Sequence, residues 1–216
     1  KLYFIVILNI SFLHSITSQS ITLTPEMLWK LGRVSLDDIS KDKKWVLYGI
    51  SDYDLTANKS NRNLFVQDIN SSSPKQLTTL DGSEWNARFT PDGSKVAFIF
   101  KGNMWEVGLD GSNPHKVSDI EMSGFEFSPN GKMILFTADY KFGKTIKELY
   151  PDLPYANARI YDDLMYRHWD SWSDDKASNV HFISYSDGML IGDALNIQKE
   201  AFDSPLAPDG GISEIS

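Results

Sequence analysis

Short runs of apolar and β-branched residues alternate with turn residues through most of the chain. Four such runs, separated by Gly, Pro, Asn and Asp, cover residues 85–89, 95–100, 104–109 and 115–117. Runs of this length, joined by tight turns roughly every 8–12 residues, are typical of antiparallel β-strands. The pattern therefore predicts an all-β fold assembled from four-stranded units.

The four-stranded unit repeats along the chain. Residues 90–98 align with residues 128–136 at an offset of 38, and residues 40–48 are a degenerate copy 50 residues before the first. A second element repeats at an offset of 40, since residues 63–66 and 74–78 match residues 103–106 and 114–118. Four strands per unit of about 40 residues indicate blades of a β-propeller. A β-sandwich of unrelated hairpins explains the strands but not the shared offset.

Two segments depart from this strand rhythm. Residues 24–32 predict a short helix, with Thr24 as N-cap, Pro25 at the first position and Gly32 at the end. Residues 139–178 predict a partly helical insertion, with helical patterns over 144–150 and 157–166 and then an aromatic and charged run to residue 172. Insertions of this kind are often located on the binding face.

Residues 1–20 have the pattern of a secretory signal peptide. A positive first residue is followed by a short apolar run and then by small polar residues. The apolar run is shorter than the roughly 20 residues that a membrane-spanning helix needs, although an uncleaved anchor is the alternative. We therefore expect an exported protein, periplasmic or secreted, that has no membrane association after cleavage.

The net charge and the lack of cysteine exclude several kinds of partner and site. The 216 residues include 21 Lys and Arg against 29 Asp and Glu, for a net charge of −8, and contain no Cys. The acidic balance argues against a nucleic-acid partner, because binding to phosphates depends on clustered Lys and Arg. The lack of Cys excludes a disulfide scaffold, a thiolate metal site and a cysteine nucleophile.

Catalytic motifs are not found in the sequence. It has no G-x-S-x-G nucleophile elbow, no H-E-x-x-H pair and no phosphate-binding loop. We therefore predict no catalytic residue, no metal and no cofactor in this chain. Carboxylates of the insertion, at Glu148, Asp162 and Asp163, belong to a solvated face or, alternatively, capture a substrate amine.

The aromatic run of the insertion holds the candidate substrate-binding residues Arg167, His168, Trp169 and Asp170. An arginine fork suits a carboxylate or a backbone carbonyl, and a tryptophan ring suits the wall of a pocket. The alternative is structural: the run packs between blades, and an Arg167–Asp170 ion pair satisfies its charges.

Several of these segments occur in an order that resembles the prolyl oligopeptidase family of serine peptidases. They are residues 24–34, the Ser-Pro-Asp-Gly turns, the run 165–172, the segment 203–206 and Gly210-Gly211. The chain is similar to the N-terminal propeller of bacterial dipeptidyl-peptidase V-like and acylaminoacyl-peptidase-like members. The turns also occur in TolB-like and other propellers, so the run 165–172 and the segment 203–206 are the more specific features.

The resemblance implies a function that this chain performs only in part. Members of the family have a C-terminal α/β-hydrolase domain with a Ser-Asp-His triad, and no position here matches that triad. We expect residues 21–216 to be about four blades of a partial, unclosed TolB-like propeller that gates peptide substrates for a hydrolase domain outside these residues. The alternative is a stand-alone TolB-like propeller that binds a protein or sugar partner. Oligomeric state is not predicted.

Overall fold

The computed structural model describes residues 22–162, 164, 166–168, 170–172, 175–205 and 211–215. These residues form three four-stranded antiparallel sheets and a two-stranded hairpin. The first blade consists of β1 (Arg33–Ile39), β2 (Trp45–Asp54), β3 (Lys59–Asp68) and β4 (Lys75–Gln76). The second consists of β5 (Glu84–Phe89), β6 (Lys95–Phe100), β7 (Asn103–Gly108) and β8 (His115–Glu121).

The third blade has its strands separated by the insertion. It consists of β9 (Gly124–Phe127), β10 (Met133–Lys141), β13 (Lys176–Ser186) and β14 (Met189–Asn196). The insertion contains α2 (Ile146–Leu149) and the hairpin strands β11 (Arg167–His168) and β12 (Ser171–Trp172). Sequential antiparallel order within each sheet is the arrangement of a propeller blade. The predicted all-β, partial β-propeller is therefore confirmed.

The same turn joins the first and second strands of every blade. In the second blade the Thr90 hydroxyl donates to Asp92 at 2.7 Å, and Gly93 has a φ of +72°. In the degenerate first copy the Ser40 hydroxyl donates to Asp42 at 2.6 Å, and Lys43 occupies the glycine position at φ +59°. The turn therefore forms even where its glycine has been replaced, because the Ser–Asp contact is kept.

Apolar residues of β6 are buried on both faces of the second blade. Val96 and Phe98 pack with the first blade, whereas Ala97 and Ile99 pack with the third, and all four are 0% exposed. Because successive side chains of a strand point to opposite faces, one strand contributes to two cores. This explains the unbroken apolar run at residues 96–100, which would be unusual in a strand with one solvent face.

The outer faces of the first and third blades are uncovered within the described residues. Val34 and Leu36 of the first blade are 67% and 64% exposed. On the third blade, Leu135 and Phe182 are opposite one another and line an open cavity of about 690 Å³. The described residues thus form an unclosed stack of three complete blades, against the about four expected from length. The count is lower because the described residues before β1 (22–32) and after β14 (197–205 and 211–215) belong to none of the three sheets.

The helical predictions were right in two places and wrong in one. Helix α1 (Pro25–Trp29) begins at the Thr24 cap but ends before Gly32, with Lys30 as its C-cap. Helix α2 confirms part of the pattern at 144–150. No helix forms over 157–166 among the described residues, where the aromatic side chains cluster with one another. No described helix is long and apolar enough to cross a membrane. Residues 1–20, the predicted signal peptide, lie outside the described residues.

Candidate functional site

The insertion projects from one end of the third blade. It connects the second strand of that blade to the third, and pairing of these strands continues outward to Lys141 and Lys176. The insertion outside this β10–β13 pairing is therefore 142–175, slightly shorter than the predicted 139–178. Since strands alternate in direction, this end of the stack also carries the links between blades, whereas the Ser-Pro-Asp-Gly turns lie at the opposite end.

One motif segment behind the family resemblance, the one that begins at Asp203, is held against the start of β13. The Asp203 carboxylate accepts a hydrogen bond from the Ser178 amide at 2.8 Å, and the Ser204 amide donates to the Ser178 carbonyl at 2.7 Å. Beside them the fully buried Asn179 amide donates to the carbonyls of Glu200 and Phe202, both at 3.2 Å. The link after the third blade is thus fastened where the insertion rejoins the sheet.

A capped helix supports the first part of the insertion. The Thr145 hydroxyl accepts from the Glu148 amide, and the Glu148 carboxylate accepts from the Thr145 amide at 2.8 Å, which is a capping box. Lys141 forms an ion pair with the same carboxylate at 2.5 Å. These contacts, first of all the one with Lys141, lower the pKa of Glu148 to about 2. Glu148 therefore serves the local structure, and the amine-capture alternative for it is disfavoured.

The hairpin β11–β12 carries the predicted site residues. Arg167 lies opposite Trp172, and its guanidinium carbon is 5.0 Å from the centre of the Trp172 ring, within the range of a cation–π contact. The backbone of His168 is opposite that of Ser171. Asp170 is exposed in the turn of the hairpin, and Trp169 lies outside the described residues.

Three aromatic rings form a cluster around this hairpin. The ring centre of Tyr161 is 5.8 Å from that of Tyr166 and 6.3 Å from that of Trp172, and the latter two are 6.2 Å apart. Tyr166 and Trp172 are 48% and 45% exposed, and neither belongs to a core between blades. The expectation that this run packs between blades therefore does not hold for these two rings, which lie at the surface.

Sequence reasoning missed two members of this cluster. Arg159 places its guanidinium carbon 5.8 Å from the Trp172 ring centre, and Tyr161 contributes a ring. Both fall in the segment 157–166 that the sequence pattern assigned to a helix. The density of Arg, Tyr and Trp over residues 159–172 was the available signal, because arginine guanidiniums and aromatic rings attract one another.

Two arginines, Arg62 and Arg88, connect neighbouring blades. Arg88 on β5 binds both carboxylate oxygens of Glu126 on β9, with Nε at 2.9 and 3.0 Å. Arg62 on β3 pairs with Asp37 on β1 at 2.6 Å and donates to the Glu84 carbonyl of the second blade at 2.9 Å. Each of these two arginines already has an anionic partner, so the network fixes neighbouring strands to one another and neither arginine is available to a ligand.

The cavity on the third blade lies on a sheet face whose equivalent is buried in the second blade. Its wall includes Leu135, which is equivalent by the repeat to Ala97 of the second blade, a residue that packs against the neighbouring blade. Because that equivalent is a contact between blades, we do not include this cavity in the candidate site. The candidate site remains the aromatic and arginine cluster of the insertion.

Comparison with known proteins shows a relationship over at least 90% of the chain. The dipeptidyl-peptidase 5 of Porphyromonas gingivalis is 38% identical over 200 residues, which are 90% of this chain and 29% of that protein. The dipeptidyl-peptidase 5 of Porphyromonas endodontalis is 31% identical over 206 residues, which are 93% of this chain and 30% of that protein. The chain is a relative of the dipeptidyl-peptidase 5 proteins. The predicted resemblance to peptidases of this type is thereby confirmed, over a segment that spans less than a third of these relatives.

Solved structures agree on the fold. The acylaminoacyl peptidase of Pyrococcus horikoshii superposes with a TM-score of 0.58 at 15% identity, covering 79% of this chain and 26% of that protein. An acylaminoacyl peptidase in complex with Z-Gly-Gly-Phe-chloromethyl ketone gives a TM-score of 0.55 at 17% identity, covering 76% and 26%. No model of a known protein family matches the chain.

Proposed function

We propose that this chain is the substrate-gating propeller portion of an exported serine exopeptidase that acts on peptides. Its relatedness to dipeptidyl-peptidase 5 over 90% of its length carries the proposal. In this arrangement residues 21–216 belong to the propeller, and a serine nucleophile with its base and oxyanion hole lies in an α/β-hydrolase domain outside these residues. Acyl transfer takes place in that domain, and the propeller restricts which peptides reach it.

The geometry of the insertion supports a role in contact with substrate. It extends from the end of the stack that carries the links between blades, and its exposed hairpin presents Arg167 and Trp172. Aromatic residues are enriched at recognition surfaces, and Trp172 of this hairpin is exposed. We propose Arg167, His168, Trp169 and Asp170 as the residues of this chain that contact the peptide.

Peptide substrates are supported by two relatives. One is named as a dipeptidyl-peptidase, and one solved neighbour is in complex with Z-Gly-Gly-Phe-chloromethyl ketone. The stand-alone binding-module alternative has no comparable support, because the same segment of this chain aligns with peptidases at 31% identity or more.

The chain offers a direct test through exchange of homologous segments. In the Porphyromonas gingivalis enzyme, the 200 residues that match this chain are replaced by those of this chain, and hydrolysis of a dipeptidyl-naphthylamide is compared with that of a ten-residue peptide. We expect the chimera to be active. In a second chimera Gly-Gly replaces residues 167–172, which include the proposed peptide contacts, and we expect kcat/KM for the ten-residue peptide to fall at least threefold relative to that for the short substrate.

The controls separate gating from folding. Circular dichroism and thermal denaturation establish that both chimeras fold, and a third chimera with Gly-Gly in place of the exposed hairpin tip 55–58 serves as the matched control. Identical preference for short and long peptides in all three would contradict the gating role. Turnover by the 216-residue chain alone, inhibited by a serine reagent, would contradict the assignment of catalysis to another domain.

Export is the remaining part of the proposal, and it depends on residues 1–20. A gene that encodes these residues should yield a periplasmic or secreted protein whose measured mass lacks them. An intact N-terminus in the membrane fraction would instead support the anchor alternative.

A further inference from the structure

Two arginines share one tryptophan in the insertion. The guanidinium carbons of Arg159 and Arg167 are 5.8 and 5.0 Å from the ring centre of Trp172. Tyr161 and Tyr166 extend the aromatic surface on the same cluster, with planes inclined by 21° and 28° to that of Trp172. The planes of Tyr161 and Tyr166 are inclined by 47° to each other, so the three rings form an open aromatic cluster rather than one flat surface.

The two guanidiniums attract an anion to this aromatic cluster. The chain as a whole carries a net charge of −8, so a ring contacted by two cations differs from most of the surface. An arginine presents a planar fork of donors that fits a carboxylate. Asp162 and Asp170 flank the arginines along the chain and weaken the field for a bare anion. A ligand that also covers the rings therefore gains more binding free energy than a ligand that contributes charge alone.

We propose that Arg159, Arg167 and the Tyr161–Tyr166–Trp172 cluster bind a peptide carboxylate next to an apolar side chain. The carboxylate pairs with one or both guanidiniums, and the apolar side chain lies on the rings. The C-terminus of a peptide and an acidic side chain both supply this chemistry. The inference rests on the proposed role of the insertion in peptide binding, and it adds two residues and a ligand class to that role.

Calorimetric titration of the full 216-residue chain with three tripeptides tests the inference. The probes are acetyl-Gly-Ala-Phe as the free acid, the same peptide as its C-terminal amide, and acetyl-Gly-Glu-Phe as the amide. We expect the free acid to bind at least tenfold more tightly than its amide. Recovery of affinity by the glutamate peptide assigns the site to any carboxylate, whereas binding of the free acid alone assigns it to the C-terminus, and either result supports the proposal.

Substitutions locate the binding. Arg159→Gln and Arg167→Gln should each weaken binding of the free acid by about tenfold and leave the amide unchanged, whereas Trp172→Leu should weaken both. Arg33→Gln is the matched control, because the Arg33 guanidinium carbon lies 4.6 and 4.3 Å from the ring centres of Trp29 and Tyr53, outside the insertion. We expect no effect from this control.

Three outcomes would overturn the inference: equal affinity for acid and amide, no measurable binding of any peptide, or equal weakening by Arg33→Gln. Equal affinities that are lost in Trp172→Leu would leave the insertion as a peptide-binding element without a carboxylate preference. In that case the proposed function survives and this inference fails. Activity and size preference of the chimeras described above report on the proposed function separately.

Discussion

The carboxyl group of Glu84 should make the stability of the first blade interface depend on pH. Glu84 opens β5 and is 0% exposed, and both of its carboxylate oxygens lack a hydrogen-bond partner among the described residues. Burial raises the pKa of this carboxyl to about 7, against opposing effects of the Thr78 hydroxyl, nearby backbone amides and the Arg62 charge. The native structure thus favours the protonated, neutral form.

The sign of the effect follows from the two pKa values. In the unfolded chain the Glu84 carboxyl ionises near its ordinary pKa of 4.5, whereas in the native chain it keeps its proton up to about pH 7. The unfolded state therefore loses its proton first, and native stability falls as pH rises from 4.5 to 7. Above pH 7 this loss of stability is complete. The difference between the two pKa values corresponds to a decrease of about 3 kcal/mol in the free energy of unfolding.

Glu84→Gln removes the titrating group and keeps the shape of the side chain. We expect the free energy of unfolding of the variant, minus that of the unchanged chain, to increase by about 3 kcal/mol between pH 4 and pH 8. Urea denaturation followed by tryptophan fluorescence at several pH values measures this difference. Glu121→Gln, at an exposed position of β8, is the control and should show a difference within about 0.5 kcal/mol throughout. A Glu84→Gln difference that is the same at pH 4 and pH 8 would refute the reasoning.

Two further predictions concern contacts that hold the third blade. Tyr185→Phe removes the hydroxyl that donates to the buried Glu106 carboxylate at 2.6 Å, and should lower the free energy of unfolding in urea denaturation by about 1–3 kcal/mol. The control Tyr155→Phe, at a side chain that is 96% exposed, should have no effect. Equal losses in the two variants would show that the Tyr185–Glu106 hydrogen bond does not stabilise the third blade. Asn179→Ala removes the side-chain contacts that order the link after β14, so limited proteolysis should cut residues 197–205 first; an unchanged pattern of cleavage would show that the link is held by other contacts.

Much of the blade architecture could be predicted because local chemistry determines it. The Ser/Thr-Pro-Asp/Asn-Gly turn needs only its own residues, since the hydroxyl of the first contacts the carboxylate or amide of the third. Even the degenerate copy at residue 40 was recognised from this spacing. Strand positions on either side follow from alternation, and the period of about 40 residues then indicates a propeller.

The insertion was harder to predict, because its structure depends on contacts between distant residues. A helix over 157–166 satisfies the local pattern, but the rings of Tyr161 and Tyr166 instead meet Trp172 across the hairpin. Likewise, nothing in the sequence near residue 203 indicates that Asp203 contacts the Ser178 amide. Such contacts form only when the third blade brings β10 and β13 together and places both ends of the insertion side by side.

The sequence by itself determined the repeating unit, its turns and the relationship to a class of peptidases. These depend on neighbouring residues or on motif order, which can be read along the chain. Only the tertiary structure decided which polar groups are buried between blades and which aromatic side chains of the insertion are exposed. Glu84 and Trp172 illustrate the reason: whether a side chain is covered depends on the face that another blade or strand presents to it, and one sequence position does not contain that information.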